Sequence, residues 1–134
     1  MPTDHATALF AAFVLPDRRD RYANLLTSSK GRAKLRAGLA HLRDLDPKYT
    51  HPVRSANEDA AGIAADLRAR GAPAECYVVS ESAELDGRTL PLDAALEAVV
   101  GQGMGTLISC VPGKLGYYEG EDPGQRMILA RAAV

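Results

Sequence analysis

The chain has 134 residues, a formal net charge of −1, two cysteines, two phenylalanines and no tryptophan. This length suits one domain, since domains typically run to about 100–150 residues, and an apolar fraction of 46% with interspersed charges argues against disorder. The longest apolar stretch, Ala6 to Leu15, is about half the length of a membrane span, so no membrane association is expected. No basic region precedes it, and the sequence therefore predicts a cytoplasmic protein without a signal peptide.

Charge is distributed unevenly along the chain. Residues 1–54 contain ten Lys or Arg and five Asp or Glu, whereas residues 55–134 contain six and twelve. Either the basic half meets an anion, or the two halves attract each other within the fold or across a dimer. The overall pI of about 6.3 is far from the strongly basic footprint of a nucleic-acid reader, so nucleic acid is not an expected partner.

The first part of the chain, about residues 4–70, is predicted to be helical. Asp4 can cap a first helix, because apolar residues recur at helical spacing from Leu9 to Val14. A buried strand is the alternative for this short apolar run, which periodicity alone cannot distinguish. Residues 46–57 contain two prolines and no periodicity, and are predicted as one long loop of unassigned role. Three more helices are predicted: Pro16 to Ser28, Lys30 to Asp44, and Asn57 to Arg70.

The second part, about residues 75–131, is predicted to contain the sheet. Pro112-Gly113 suits the centre of a type II turn, because proline presets the first φ and glycine accepts the positive second φ. A hairpin over residues 105–121 follows from this turn, and Asp122-Pro123-Gly124 supplies a turn into another strand. The other elements here are a strand from Cys76 to Ser80, a strand near Met127 to Leu129, and a helix from Leu92 to Val100.

These elements predict a single α+β domain. Helices come first, and strands with one more helix follow, which is not the alternation of a parallel α/β fold. We therefore expect an N-terminal helical layer packed on a small, mostly antiparallel four-stranded sheet that ends in a C-terminal β-meander.

Several motifs fail the test of their structural context. Glycines at 101, 103 and 105 follow a helix and enter a strand, which is the reverse of a dinucleotide-binding fingerprint. The histidines and cysteines lack the close spacing of metal ligands, so neither a metal nor a cofactor is predicted. Cys76 and Cys110 could lie on neighbouring strands, but without an export signal they are expected to be reduced core residues.

Basic side chains flank the apolar stripe of the helix predicted from Lys30 to Asp44. Residues three or four apart stack along a helix surface, so the cations form two rows that could bind an anionic small molecule. The binding candidates in these rows are Lys30, Arg32, Lys34 and Arg36.

Tyrosines and charged residues gather at the strand ends near the hairpin. Such side chains could form a small pocket. The alternative is a solvent-exposed strand face on which Glu119 pairs across to Arg126. The binding candidates here are Tyr117, Tyr118 and Arg126, and the catalytic candidates are Glu119, Glu81 and His41.

The combined features favour a small binding or regulatory module that engages a protein partner or itself. Its oppositely charged halves and an exposed edge of the hairpin would supply the surfaces. The alternative is a small enzyme or ligand-binding protein for a phosphorylated small molecule or nucleotide. In that case the basic helix would hold the phosphate while Glu119, Glu81 or His41 moves a proton, which requires them to share a cleft.

Overall fold

A computed structural model describes residues 4–53, 59–121 and 125–131. These residues form an α+β fold in which a six-stranded antiparallel sheet lies between two groups of helices. The helices are α1 (His5–Phe13), α2 (Arg19–Leu25), α3 (Ser29–Ala37), α4 (Ala60–Ala69) and α5 (Leu92–Val99). The strands are β1 (Thr50–Pro52), β2 (Glu75–Ser80), β3 (Thr89–Pro91), β4 (Thr106–Val111), β5 (Leu115–Glu119) and β6 (Arg126–Ala130). Short 3-10 turns occupy Pro16–Arg18, Leu39–His41 and Pro47–Tyr49.

Helix α1 settles the ambiguity of the first apolar run in favour of helix. The side chain of Asp4 accepts hydrogen bonds from the backbone N–H groups of Ala6 and Thr7, which satisfies donors that a helix start leaves unpaired. Leu9, Phe10 and Phe13 are buried on the inner side of this helix. The predicted Asp4 cap and helical spacing are confirmed.

Helix α3 is shorter than predicted. It begins at Ser29, capped by Ser28, and ends at Ala37, before Gly38 and the 3-10 turn Leu39–His41. The Tyr118 hydroxyl of β5 donates to the Leu39 carbonyl at 2.6 Å, and the Leu42 N–H donates to the same hydroxyl at 3.3 Å. The Leu42 N–H also donates to the Leu39 carbonyl at 3.2 Å, so the two groups are bonded both within the 3-10 turn and to the sheet.

The sheet has six strands where four were predicted, in the order β1-β6-β5-β4-β2-β3. The two strands that were missed, β1 and β3, are three-residue edge strands that each end in proline. Three residues are too few to show a strand period, and β1 lies within the predicted long loop. The hairpin β4–β5 occupies the centre of the sheet, so the expectation that it offers an exposed edge is wrong.

Helices cover both faces of the sheet, which corrects the expected single helical layer. Side chains alternate between the faces of a strand, so adjacent residues enter different clusters. Leu107 and Tyr118 pack with α1, α2 and α3, whereas Ile108 and Tyr117 pack with α4 and α5. Every residue of β5 is consequently buried.

The predicted hairpin turn is confirmed. Gly113 has a φ of +72°, and the Lys114 N–H donates to the Val111 carbonyl at 2.9 Å, as a β-turn centred on Pro112-Gly113 requires. The second predicted turn, at residues 122–124, lies outside the described residues. No helix in the described part of the chain is long and apolar enough to cross a membrane.

Candidate functional site

A row of polar side chains crosses four strands at one end of the sheet. Ser80 of β2 lies opposite Thr106 of β4, Thr106 lies opposite Glu119 of β5, and Glu119 lies opposite Arg126 of β6. Directly opposed residues of an antiparallel sheet point to the same face. This polar row (Ser80, Thr106, Glu119 and Arg126) therefore lies on the face covered by α4 and α5.

Glu119 is the centre of the polar row and is only 1% exposed. Its Oε1 accepts from the Tyr117 hydroxyl at 2.8 Å and lies 3.3 Å from Nε of Arg126. Its Oε2 accepts from the Gly101 N–H at 3.0 Å, just after α5 ends. Burial and the nearby Glu119 charge raise the pKa of Tyr117, so this hydroxyl stays protonated as a donor. The carboxylate is thus engaged on both oxygens within the chain.

This geometry corrects the interpretation of Glu119 and Arg126 as a solvent-exposed pair. The two residues do pair across the strands, as that interpretation expected, but the carboxylate is buried. Removing a charge from water is costly unless other groups solvate it. The Tyr117 hydroxyl and the Gly101 N–H provide that solvation for Glu119.

The hydroxyl groups of the polar row are also bonded internally. Oγ of Ser80 lies 2.9 Å from Oγ1 of Thr106, and the Ser82 N–H donates to Oγ of Ser80 at 3.0 Å. Both Ser80 and Thr106 are fully buried. These hydroxyls stabilise the strand ends and are not open to a substrate.

A second polar cluster lies on the opposite face of the sheet, against α3. Arg32 and Arg36 project from consecutive turns of α3, and their guanidinium groups lie 3.3 and 3.4 Å from the Asp86 carboxylate. Arg32 also donates to the Tyr77 hydroxyl at 3.0 Å, and Arg36 donates to the Ser80 carbonyl at 2.8 Å. We call Arg32, Arg36 and Asp86 the arginine clamp. It joins the basic first half of the chain to the acidic second half.

The remaining candidates surround the 3-10 turn Leu39–His41. Glu81 accepts from the Gly105 N–H at 2.9 Å, which fixes the entry into β4. His41 pairs with Glu121 at 3.1 Å, where both side chains are more than half exposed. Burial raises the pKa of Tyr118 to about 12, in keeping with its bond to the Leu39 carbonyl.

The predicted site residues therefore separate into groups. Glu119, Tyr117 and Arg126 are together on the α4–α5 face, whereas Arg32 and Arg36 are bound to Asp86 on the other face. Glu81, Tyr118 and His41 surround the Leu39–His41 turn, and Lys30 and Lys34 are exposed on α3. The basic helix and Glu119 do not share a cleft.

Sequence reasoning missed a contact that holds α1 to the sheet. Nδ1 of His5 lies 2.8 Å from Oγ of Ser109, and the His5 ring stacks on Tyr77 with centroids 5.6 Å apart. Ser109 is fully buried beneath α1, so the pair lacks the open nucleophile of a catalytic dyad. No sequence signal could have found it, because the partners are 104 positions apart.

Sequence reasoning also missed the partners that engage the candidates. Asp86 precedes Gly87, whose φ of +77° is typical of a turn, and no local pattern indicates its arginine partners. Gly101 was interpreted only as a helix end, yet its N–H binds Glu119. Within the described ranges, no three His, Cys, Asp or Glu side chains form a group suited to a metal ion. No protein-family model, no curated protein and no solved structure matches this chain.

Proposed function

We propose that this chain is a small cytoplasmic binding module that engages an acidic protein surface through the outer side of its N-terminal helices. The observation that carries the proposal is the division of cations on α3. Arg32 and Arg36 turn inward to Asp86, whereas Lys30 and Lys34 are exposed. The internal carboxylate is thus already engaged by the two arginines, and the lysine charges face solvent.

Further exposed cations of the same layer support an acidic partner. They lie around α2 and in the segments that follow α3, and they are Arg18, Arg21, Arg43 and Lys48. A surface of one predominant sign steers an oppositely charged protein and raises the association rate more than the final affinity. The acidic second half of another copy is one such surface, so self-association belongs to the same proposal.

The disposition of the acid and base candidates supports binding over catalysis. Glu119 is buried with both oxygens engaged, and Glu81 holds the Gly105 N–H. A general acid or base has to reach the proton that it transfers. The enzyme alternative with Glu119 as the acid or base also needs the basic helix and Glu119 in one cleft, and these lie on opposite faces of the sheet. We therefore propose no second function.

A binding titration with a charge-matched control tests the proposal. The probe is a labelled polyglutamate peptide at low ionic strength, and the variant replaces both Lys30 and Lys34 with Glu. The control variant replaces Arg70 and Arg88 with Glu, because both are exposed, lie outside the N-terminal helices and change the net charge equally. We expect binding to be lost in the lysine variant, kept in the control, and weakened by salt in the unmodified protein.

Three results would contradict the proposal. Equal losses in the two variants would show that only net charge matters. Failure of the unmodified protein to bind polyglutamate, together with a monomeric sedimentation coefficient at all concentrations, would remove both the acidic partner and the second copy. Tighter binding of polyphosphate or a nucleotide than of polyglutamate would favour the phosphate-binding alternative.

A further inference from the structure

The two cysteines lie on paired strands, Cys76 on β2 and Cys110 on β4. The regular pairing of β2 with β4 ends at Tyr77 opposite Ser109. Continuing this antiparallel register by one residue places Cys76 opposite Cys110. Both side chains are free thiols, both are 2% exposed, and both belong to the buried cluster beneath α4 and α5.

The backbone hydrogen bonds show what type of pair this is. The Glu81 N–H donates to the Gly105 carbonyl at 3.0 Å, so Glu81 and Gly105 form a hydrogen-bonded pair of the same register. Pair types alternate along an antiparallel ladder, which makes Cys76 and Cys110 a non-hydrogen-bonded pair. The same alternation requires the even-numbered residues of β2 to bond to β3 and not to β4. The Val78 N–H does so, because it donates to the Arg88 carbonyl beside β3.

Non-hydrogen-bonded pairs bring side chains close enough for a disulfide. Their Cα atoms are typically about 4.5 Å apart, within the range of roughly 4.4–6.8 Å that disulfides span. Ser80 and Thr106 form a pair of the same type on the same face, and their side-chain oxygens are 2.9 Å apart. The pairing of β4 with β5 shifts register between Ser109 and Val111, so Cys110 is the extra residue of a bulge in β4. Cys110 nevertheless belongs to the same buried cluster as Cys76.

We propose that Cys76 and Cys110 form a redox modification site, a cross-strand dithiol that a low-molecular-weight disulfide such as oxidised glutathione converts into an intramolecular disulfide. One cysteine thiolate attacks the oxidised glutathione and releases one glutathione thiolate. The second cysteine thiolate then displaces the bound glutathione and closes the bridge. Two cysteine thiols are oxidised, one glutathione disulfide is reduced to two thiols, and the protons of the cysteines pass to them.

Burial slows this reaction, because the thiolate is the attacking form. It raises the pKa of Cys76 to about 11 and that of Cys110 to about 12, so both thiols are protonated at neutral pH. Attack therefore requires the α4–α5 layer to open. A bridge that suits the native register nevertheless stabilises the fold, because it restricts the unfolded chain across the 76–110 segment.

The test compares the stability of oxidised and reduced forms of the full chain. The protein is oxidised with glutathione disulfide in urea, refolded, and checked for loss of the mass of two hydrogen atoms without added glutathione. We expect a higher urea midpoint than for the reduced protein, with the folded-to-unfolded ratio raised on the order of 100-fold. The Cys76→Ser and Cys110→Ser variants, treated identically, should show no such increase.

An oxidised protein with the same or a lower midpoint than the reduced protein would overturn the proposal, because the native register would then not accommodate the bridge. Recovery of refolded protein with two attached glutathiones in place of the bridge would overturn it as well. The comparison is independent of the polyglutamate titration.

Discussion

Glu119 shows how one buried charge determines local structure. Its carboxylate connects β5 to Tyr117 on its own strand, to Arg126 on the neighbouring strand, and to Gly101 after α5. A buried charge is tolerated only while its partners remain in place, because an unpaired buried charge destabilises the fold. Glu121, two residues later, also contacts a side chain, His41 at 3.1 Å, but is exposed, so the two glutamates form a natural comparison.

We expect Glu119→Gln to lower the free energy of unfolding by about 3 kcal/mol, because removing one partner of a buried ion pair leaves the other charge poorly solvated. The matched control, Glu121→Gln, should change it by less than about 1 kcal/mol, as is usual for exposed pairs. Urea denaturation of both variants measures the difference. Equal effects would show that the burial of Glu119 has no energetic consequence.

Gly113 carries the conformational requirement of the central hairpin. Its φ of +72° is strained for a β-branched residue, so Gly113→Val should lower the free energy of unfolding by about 1–3 kcal/mol. Gly38→Ala is the control, because Gly38 has a φ of −98° and space for a Cβ atom. A urea midpoint of Gly113→Val no lower than that of Gly38→Ala would contradict the turn assignment.

At the scale of elements, α3 has two basic rows with different environments. The pattern of cations in the sequence is symmetrical about the apolar stripe, but only Arg32 and Arg36 have the Asp86 carboxylate within reach. Asp86 belongs to the connection between β2 and β3, so the clamp fixes this connection against α3. Some of the opposite charges of the two halves of the chain therefore attract each other inside the fold.

The arginine clamp predicts that replacing Asp86 destabilises the protein more than replacing Asp93. Asp86→Asn keeps an acceptor for the Ser80 N–H but removes the charge that binds both guanidinium groups. We expect a loss of about 1–3 kcal/mol in the free energy of unfolding. Asp93→Asn breaks the exposed pair with Arg68 and should cost less than about 1 kcal/mol. Thermal or urea unfolding that ranks Asp93→Asn as the more harmful change would refute the clamp.

At the scale of the whole molecule, stability should be graded across the sheet. β4 and β5 are each paired on both sides and covered on both faces, whereas β1 and β3 are short, half-exposed edges. Local opening costs least where backbone hydrogen bonds are exposed and few apolar contacts are lost. The edge strands should therefore open without unfolding of the centre.

Native-state hydrogen exchange measures this gradient. The Val53 N–H, which donates to the Arg126 carbonyl beside β1, should exchange at least about 100-fold faster than protected amides in Leu107 to Ser109. The amides of β4 should exchange only through global unfolding, so their opening free energies should equal the value from urea denaturation. Protection at Val53 as high as in β4 would show that the sheet opens as one unit.

The sequence by itself was sufficient for features that depend on neighbouring residues. The Asp4 cap and helical spacing predicted α1, and Pro112-Gly113 predicted the turn between β4 and β5, because a cap or a turn is formed within a few residues. The Glu119–Arg126 pairing was also expected from the sequence, because the two residues lie on consecutive antiparallel strands, β5 and β6. The α+β class followed from the order of these local elements.

Only the tertiary structure decided which distant groups meet. The turn that follows α3 is bonded to a tyrosine 79 positions beyond Leu39, and the Arg32–Asp86 contact joins residues 54 positions apart. The hairpin is central because β2 pairs with β4 and β6 pairs with β5. Helices lie on both faces because α4 and α5 pack against one face and α1, α2 and α3 against the other. The burial of Glu119 depends on that two-sided covering, because a local sequence pattern records which side chains alternate but not what will cover them.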